Sequence, residues 1–301
     1  MKLPAATTHL LRGKSRRLKW CTACVVTIVI IAIIAIPLAV ILPRNSAAAK
    51  GLKSKILVPL YIYPEPGAWD PLYEVVTSHP NRHFIVILNP NSGPGSSSLP
   101  ADQYVNQIQK LNDFPNVQSV GYVRTGYATR NISDVLGDVA VYSGWDTSAN
   151  ATMGSGLAVH GIFFDEAPSE YSTANAEYML TINHAVKNSI GILGDKTIIQ
   201  NPGTIPDPRL VDSTTDYSVV FEGSYKEFNE RQSLLTALPL DRKRYSFVIH
   251  SIPENLSTAD IKKFAAKASR KSDLLSLIDL DANFYERFSP NWSSYVDIIP
   301  S

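Results

Sequence analysis

Short apolar runs alternate with longer stretches of helical periodicity over the last four fifths of the chain. The apolar runs cover residues 56–63, 84–89, 118–124, 161–165, 197–201, 218–222, 245–250 and 274–279. Runs of this length and composition are typical of strands that are buried on both faces. Between them, apolar positions recur with a helical period over 104–111, 174–190, 226–235 and 259–268. The alternation predicts an α/β fold, a closed parallel (β/α)8 TIM barrel, and periodicity alone leaves an open doubly wound sheet as the alternative.

A different pattern occupies the start of the chain. Residues 20–43 contain no charged side chain and are rich in Val, Ile and Ala, and a helix of that length spans a bilayer. Basic residues directly before it predict a type II topology, with 1–19 as a cytoplasmic tail, 20–43 as a transmembrane helix, 44–54 as a stalk and 55–301 as an extracellular barrel domain. A cleaved signal peptide is the alternative, although its apolar segment is normally shorter.

Charge is distributed unevenly along the chain. Residues 1–50 carry eight Lys or Arg and no acid, so residues 51–301 hold 20 basic and 27 acidic side chains. An acidic domain argues against nucleic acid as a partner, because phosphate binding needs a basic surface. Both cysteines lie at positions 21 and 24, so disulfides cannot stabilise the barrel domain.

Four Asn-x-Ser/Thr sequons lie in the domain that this topology places outside the cell. They start at Asn131, Asn150, Asn255 and Asn291. Each is a predicted N-glycosylation site on an exported chain.

Two acidic motifs directly follow apolar strands. In Gly-Ile-Phe-Phe-Asp-Glu, residues 161–166, the acids are Asp165 and Glu166, and Glu222 follows the strand that begins near Ser218. The carboxyl ends of barrel strands form the active-site face, so the three carboxylates are expected to meet there. Hydrolysis of a glycosidic bond needs one carboxylic acid and a second carboxylate, and these residues are our catalytic candidates.

A purely structural role for the same acids stays open. One member of the neighbouring Asp165–Glu166 pair could cap the following segment, while the other pairs with Arg124. Adjacent strand residues also point to opposite faces, so both can be catalytic only if the strand ends or bulges there.

Other strand-end polar residues and nearby aromatics are candidates for substrate binding, with core packing as the alternative for each ring. They are Tyr61, Asn89, Tyr122, Asn201, Tyr225 and His250. The sequence contains no HExxH, Walker or GxSxG motif, and its six His residues lack metal-ligand spacing. We therefore expect neither a metal nor a cofactor.

Several segments taken together resemble the spherulin-4, or spherulation-specific family 4, proteins, which include the fungal enzymes of glycoside hydrolase family 135. The similar segments read PLYIYP at 59–64, ILNPNSGPG at 87–95, GYV at 121–123, TGY at 125–127, GIFFDE at 161–166, NPG at 201–203 and FE at 221–222. They extend in order over most of the predicted barrel domain.

The resemblance implies a (β/α)8 hydrolase that cleaves α-1,4-linked N-acetylgalactosamine/galactosamine polymer, galactosaminogalactan, from within the chain. It implies retention, and our mechanistic hypothesis takes Asp165 as the nucleophile and Glu222 or Glu166 as the acid/base, while catalysis assisted by the substrate's N-acetyl group stays open. The predicted anchor is also similar to that of the family member involved in exopolysaccharide synthesis and biofilm matrix, which works beside a synthase and a deacetylase.

Two further interpretations belong to other classes of protein. A non-catalytic barrel could bind polysaccharide at the cell wall, with the acids hydrogen-bonding to hydroxyl groups only. A structural wall protein is the third possibility, although it leaves the acids that follow apolar strands unexplained.

Overall fold

The computed structural model describes residues 51–150 and 156–301, and for 147–150 only the backbone. The predicted tail, the transmembrane helix and most of the stalk lie outside the described residues, as does the side chain of Asn150. Among the helices that are described, none is long and apolar enough to cross a membrane. Residues 51–301 form one compact unit.

Eight parallel strands pair in chain order and close into a barrel. They are β1 (Lys55–Leu60), β2 (Phe84–Leu88), β3 (Val117–Arg124), β4 (Gly161–Asp165), β5 (Thr197–Asn201), β6 (Tyr217–Ser224), β7 (Tyr245–His250) and β8 (Leu274–Leu277). The first strand pairs with both β2 and β8, which closes the sheet. The predicted closed barrel is confirmed, and the open doubly wound sheet is excluded.

Helices follow the strands along the described chain. They are α1 (Asp70–Ser78), α2 (Asp102–Asn112), α3 (Ile132–Asn150), α4 (Thr173–Asn188), α5 (Tyr225–Glu230), α6 (Gln232–Thr236), α7 (Thr258–Ser269) and α8 (Trp292–Ile298), with 3-10 turns at Pro208–Leu210 and Arg242–Arg244. The single helix predicted over 226–235 is two short helices that meet at Arg231, which leaves helical geometry with φ −91° and ψ 12°.

Local capping explains where several helices begin. Ser224 and Glu227 form a reciprocal capping box at the start of α5. Ser172 and Ser257 accept backbone N–H bonds at the starts of α4 and α7. These caps fix the first residue of each of the three helices.

The core has two layers. One cluster fills the inside of the barrel, with Leu57, Ile85, Ile87, Val120, Tyr122, Phe163, Ile199, Tyr217, Val219, Val248 and Leu274. A larger cluster lies between the strands and the helices, and includes Trp69, Tyr142 and Trp145. Side chains alternate between the two layers along each strand, so a strand residue's position relative to these clusters tells which side it faces.

The last part of the predicted stalk belongs to the barrel unit. Leu52 donates its backbone N–H to Ser269 Oγ at 3.0 Å, and Ser54 donates its N–H to the carbonyl oxygen of Pro300 at 2.9 Å. Residues 51–54 are therefore bonded to the domain, and the boundary lies near residue 50 rather than 54.

Candidate active site

Three polar side chains lie on the inner face of the strands at the mouth of the barrel, as the alternation along each strand dictates. Phe163 and Ile199 face the inside, and two residues later the same face presents Asp165 on β4 and Asn201 on β5. Tyr122 on β3 belongs to the interior layer as well. These side chains converge because parallel strands end together at the carboxyl face of the barrel.

Glu222 reaches the same face only because β6 contains a bulge. The pairing of β6 with β7 shifts register between Val219 and Phe221. Val219 faces the barrel interior, whereas Val220 and Phe221 both pack in the outer layer. One extra residue in the strand reverses the alternation, so Glu222 points inward instead of toward the helices.

One amide group bridges the two inward-facing carboxylates. Asn201 Nδ2 donates to Asp165 Oδ1 at 2.8 Å and to Glu222 Oε2 at 2.7 Å. Its Oδ1 is held in turn by the backbone N–H of Gly203 at 2.9 Å. Because one nitrogen donates both bonds, the bridged carboxylate oxygens lie at most 5.5 Å apart, the sum of the two bond lengths.

Two tyrosine hydroxyls donate to the outer oxygens of the same acids. Tyr122 donates to Asp165 Oδ2 at 2.7 Å, and Tyr285 donates to Glu222 Oε1 at 2.5 Å. Each carboxylate oxygen therefore accepts one hydrogen bond from a neutral side chain. Such bonds fix both groups in position, and at Asp165 they favour the ionised form.

Burial opposes that ionisation. Desolvation raises the pKa of Asp165, helped by the nearby charge of Glu222, while the bonds from Tyr122 and Asn201 act to lower it. Burial and the neighbouring carboxylates likewise raise the pKa of Tyr122 and of Tyr285, so both phenols stay protonated and act as donors. Burial thus makes ionisation of Asp165 less favourable than it is in water.

A cavity of about 40 Å³ reaches from the carboxylates into the barrel. Apolar walls surround it on the inside, and polar groups at its mouth come from Tyr61, Asp165, Asn201, Glu222 and Tyr285. The tyrosines pack edge to face, with Tyr61 centred 5.6 Å from Tyr122 and 5.4 Å from Tyr285. The arrangement makes a narrow, apolar-walled site with paired acids at its entrance.

Glu166 lies apart from this pair. Its carboxylate accepts from Arg124 Nε at 2.7 Å, and the Arg124 side chain is 55% exposed. The chain turns at Glu166, which adopts a φ of 51°, and the Thr125 hydroxyl holds that turn by donating to the Glu166 carbonyl oxygen at 2.7 Å. The purely structural interpretation of the sequence expected one of Asp165 and Glu166 to pair with Arg124, and Glu166 is the acid that does so.

The remaining predicted binding residues fall into two groups. His250 stacks on Phe284 with ring centroids 4.1 Å apart, and Phe284 packs edge to face on Tyr285, which connects His250 to the site. Asn89 accepts the N–H of Gly93 through its side chain, and the Tyr225 ring packs on Phe264. Their part in substrate binding stays a prediction.

Sequence reasoning missed Tyr285. It lies in the loop after β8, far from any strand end in the sequence, and its neighbours Phe284 and Phe288 were the only signal, a local enrichment in aromatic residues. No group of three or more His, Cys, Asp or Glu side chains in the described chain is arranged to hold a metal ion.

Fold and site together define a (β/α)8 barrel protein with a paired-carboxylate centre at the carboxyl ends of its strands. The profile of spherulation-specific family 4 matches residues 55–299, and the chain belongs to that family.

Two relatives illustrate the match. The crystal structure of Aspergillus clavatus Sph3 in complex with GalNAc superposes with a TM-score of 0.80 at 40% identity, over 84% of this chain and 99% of that one. Spherulin-4 of Physarum polycephalum is 36% identical over 168 residues, which is 56% of this chain. The matched region spans 44% of Spherulin-4, less than half of its length.

Proposed function

We propose that this protein is a retaining, endo-acting glycoside hydrolase that cleaves α-1,4-linked N-acetylgalactosamine/galactosamine polymer. The observation that carries the proposal is the pair of inward-facing carboxylates, Asp165 and Glu222, bridged by Asn201 at the mouth of the barrel. The sugar is suggested by the relative from Aspergillus clavatus, which binds GalNAc.

The short distance between the acids supports retention. Retaining enzymes hold their carboxyl groups about 5–5.5 Å apart, whereas inverting enzymes need about 6.5–9.5 Å to admit a water molecule between acid and sugar. The nearest oxygens of Asp165 and Glu222 are bonded to one amide nitrogen and so lie at most 5.5 Å apart, which fits the retaining arrangement. In such a reaction the second carboxylate attacks the anomeric carbon itself.

Asp165 is the nucleophile in this proposal, and Glu222 is the acid/base. Glu222 protonates the departing glycosidic oxygen while Asp165 forms a bond to the anomeric carbon. Glu222 then takes a proton from water, whose oxygen displaces Asp165 and restores both groups. The Tyr122 and Asn201 bonds act to lower the pKa of Asp165 against the effect of burial, as a nucleophile requires.

Glu166 is unsuited to the acid/base role. An acid/base must exchange its proton with the glycosidic oxygen and with water in every turnover, so it has to face the bound substrate. Glu166 is bound to Arg124 and lies outside the cavity that Asp165 and Glu222 line. Its role in this proposal is to hold the rim of the site.

Reducing-end release from purified galactosaminogalactan tests the proposal. Wild-type protein is compared with Asp165→Asn and Glu222→Gln, and Glu170→Gln serves as the control because it removes an exposed carboxylate from the same loop. We expect at least a 100-fold loss for the two site variants, on the scale typical of general acid–base groups, and none for the control. Polymer binding without end release by the wild type would favour a non-catalytic wall protein.

Product analysis separates the mechanistic details. Retention predicts an α-configured product immediately after cleavage, and endo action predicts a mixture of oligomers rather than monosaccharide. An initially β-configured product would contradict retention.

Attachment to the cell membrane as a type II protein, beside the synthase and deacetylase of the polymer, is a further part of the proposal. Asn131, Asn255 and Asn291 are exposed, as glycosylation sites on an exported domain must be. Membrane fractionation and protease protection of an epitope-tagged chain test the topology, and release of the whole chain into the medium would contradict it.

A further inference from the structure

The loop after β8 brings Tyr285 to the acid pair from outside the strand-end motifs. Its hydroxyl donates to Glu222 Oε1 at 2.5 Å, the shortest bond that either acid accepts. Its ring packs edge to face on Tyr61 at 5.4 Å and on Phe284 at 5.1 Å. Tyr285 is thus in contact with both the acid and the wall of the cavity.

Several contacts fix the position of this loop. Phe284 stacks on His250 at the end of β7, nearly parallel at 14°. The backbone N–H of Ser251 donates to the Leu280 carbonyl oxygen at 3.0 Å. The backbone N–H of Glu286 donates to the carbonyl oxygen of Asn283, whose φ is 50°. Because the aromatic pair is held from two sides, the Tyr285 hydroxyl has little freedom to move away from Glu222.

The side chain of Glu222 is long, and the strand alone does not determine its orientation. Asn201 holds one of its oxygens and Tyr285 holds the other, from elements that approach from different sides of the mouth. We propose that Tyr285 is a positioning residue for the reaction, which holds Glu222 in the one orientation that presents a proton to the glycosidic oxygen.

The role requires that Tyr285 remain a donor throughout the cycle. Burial raises the pKa of its phenol, and the charge of Glu222 raises it further, so the hydroxyl keeps its proton. When Glu222 gives its proton to the leaving group, the Tyr285 O–H then stabilises the new carboxylate. Tyr285 itself forms and breaks no covalent bond.

This inference rests on the proposed hydrolase function, and a double-mutant cycle separates the two. The full chain is assayed as wild type, Tyr285→Phe, Glu222→Ala and the double variant, on polymer and on a 4-nitrophenyl glycoside of an N-acetylgalactosamine oligomer. Tyr285→Phe keeps the ring that packs on Tyr61 and Phe284. Tyr63→Phe is the control, since it removes a hydroxyl from an exposed ring that packs on Tyr104.

We expect Tyr285→Phe to lower kcat on polymer by roughly 10- to 100-fold with KM changed less than about threefold, because misplaced acid/base groups slow the chemical step. In the Glu222→Ala background the same substitution should change the residual nitrophenyl rate less than about twofold, since no acid remains to be positioned. Tyr63→Phe should match the wild type.

Other outcomes overturn specific statements. Equal loss in both backgrounds, or a matched fall in melting temperature and activity, would show that Tyr285 matters only for packing. Full activity of Tyr285→Phe would show that Asn201 alone is sufficient to position Glu222. In both cases the hydrolase proposal stands, whereas an inactive wild type would remove it and the role of Tyr285 together.

Discussion

Replacing Asn201 by alanine removes the two hydrogen bonds that bridge Asp165 and Glu222. The electrostatic repulsion between the two carboxylates is then no longer offset. When both carboxyl groups are ionised, two charges about 5 Å apart repel by about 3.3 kcal/mol at an effective dielectric constant near 20. The lost hydrogen bonds to charged acceptors contribute about 1.5–3 kcal/mol each, and water entering the space recovers part of both. We expect a net loss of about 3 kcal/mol in the free energy of unfolding at pH 7.5.

The loss should depend on pH, and its sign follows from Asp165. Burial raises the pKa of this carboxyl above its usual 3.8, and the Asn201 bond is one of the causes that lower it. Without Asn201 the folded-state pKa rises further above the unfolded value. Stability that is fully present below the unfolded pKa is then lost as pH rises through the folded pKa, so the deficit is greatest at neutral pH and shrinks toward pH 4.

Asn116 provides the matched control. It is also buried and also donates two Nδ2 hydrogen bonds, to the carbonyl oxygens of Val76 and His79, both at 3.1 Å. Asn116→Ala should destabilise the barrel by a similar amount at every pH and leave kcat/KM unchanged. Asn201→Ala should lower kcat/KM about 100-fold, which corresponds to about 2.7 kcal/mol.

The test is to measure Tm of both variants at pH 4 and 7.5 and their reducing-end release at pH 7.5. For a domain of this size, about 3 kcal/mol corresponds to a fall of roughly 6–12 °C in Tm. If the two variants lose the same stability at both pH values, the bridge does not relieve repulsion. If Asn201→Ala keeps its activity within twofold, the amide does not organise the acid pair.

Three more changes test the electrostatics and geometry of the same site. Asp165→Asn should abolish hydrolysis yet raise Tm at neutral pH, because the raised pKa of Asp165 makes its ionisation in the folded protein unfavourable. The gain in Tm should disappear toward pH 4, and an equal gain at both pH values would contradict this explanation. Deleting Val220, the extra residue of the bulge, keeps Phe221 opposite Phe247 and Glu222 opposite Val248, so Glu222 should still point inward and activity should stay within about tenfold of the wild type; a loss as large as that of Glu222→Gln would show that the bulge sets the exact position of the acid as well as its direction. Glu166→Gln and Arg124→Ala should each reduce activity less than about tenfold with little change in Tm, since the pair is exposed, and a loss as large as that of Glu222→Gln would restore Glu166 as the acid/base.

Much of the barrel follows from local pattern. The predicted bounds of β4, β5 and β7 agree with the structure to the residue, because each of these strands is a short apolar run bounded by polar residues. Helix α3 went unpredicted, since Ile132–Asn150 carries glycines, serines and apolar residues on all sides rather than along one stripe. Tertiary packing, and not an amphipathic pattern, decides that this segment is helical.

The site residues likewise differ in whether local pattern or tertiary contacts determine their positions. Asp165 and Asn201 end strands with unbroken alternation, so their inward orientation is predictable from two-residue periodicity. Glu222 is not predictable in this way, because strict alternation from Val219 would point it outward, and the bulge that corrects it leaves no local signal. Tyr285 depends on how a loop folds back over the mouth, which involves contacts between distant parts of the chain.

The hydrogen-bond donors to Asp165 and Glu222 support the proposed retaining hydrolysis more strongly than the two acids do alone. A retaining hydrolase needs one carboxylate that stays ionised and one that alternates between its two protonation states. A guanidinium beside both would hold both ionised. Among the described residues, the donors to Asp165 and Glu222 are Asn201 and two tyrosines, while Arg124 is bound to Glu166 at the rim. Neutral donors orient a carboxyl group without placing a charge beside it, as the proposed acid/base role of Glu222 requires.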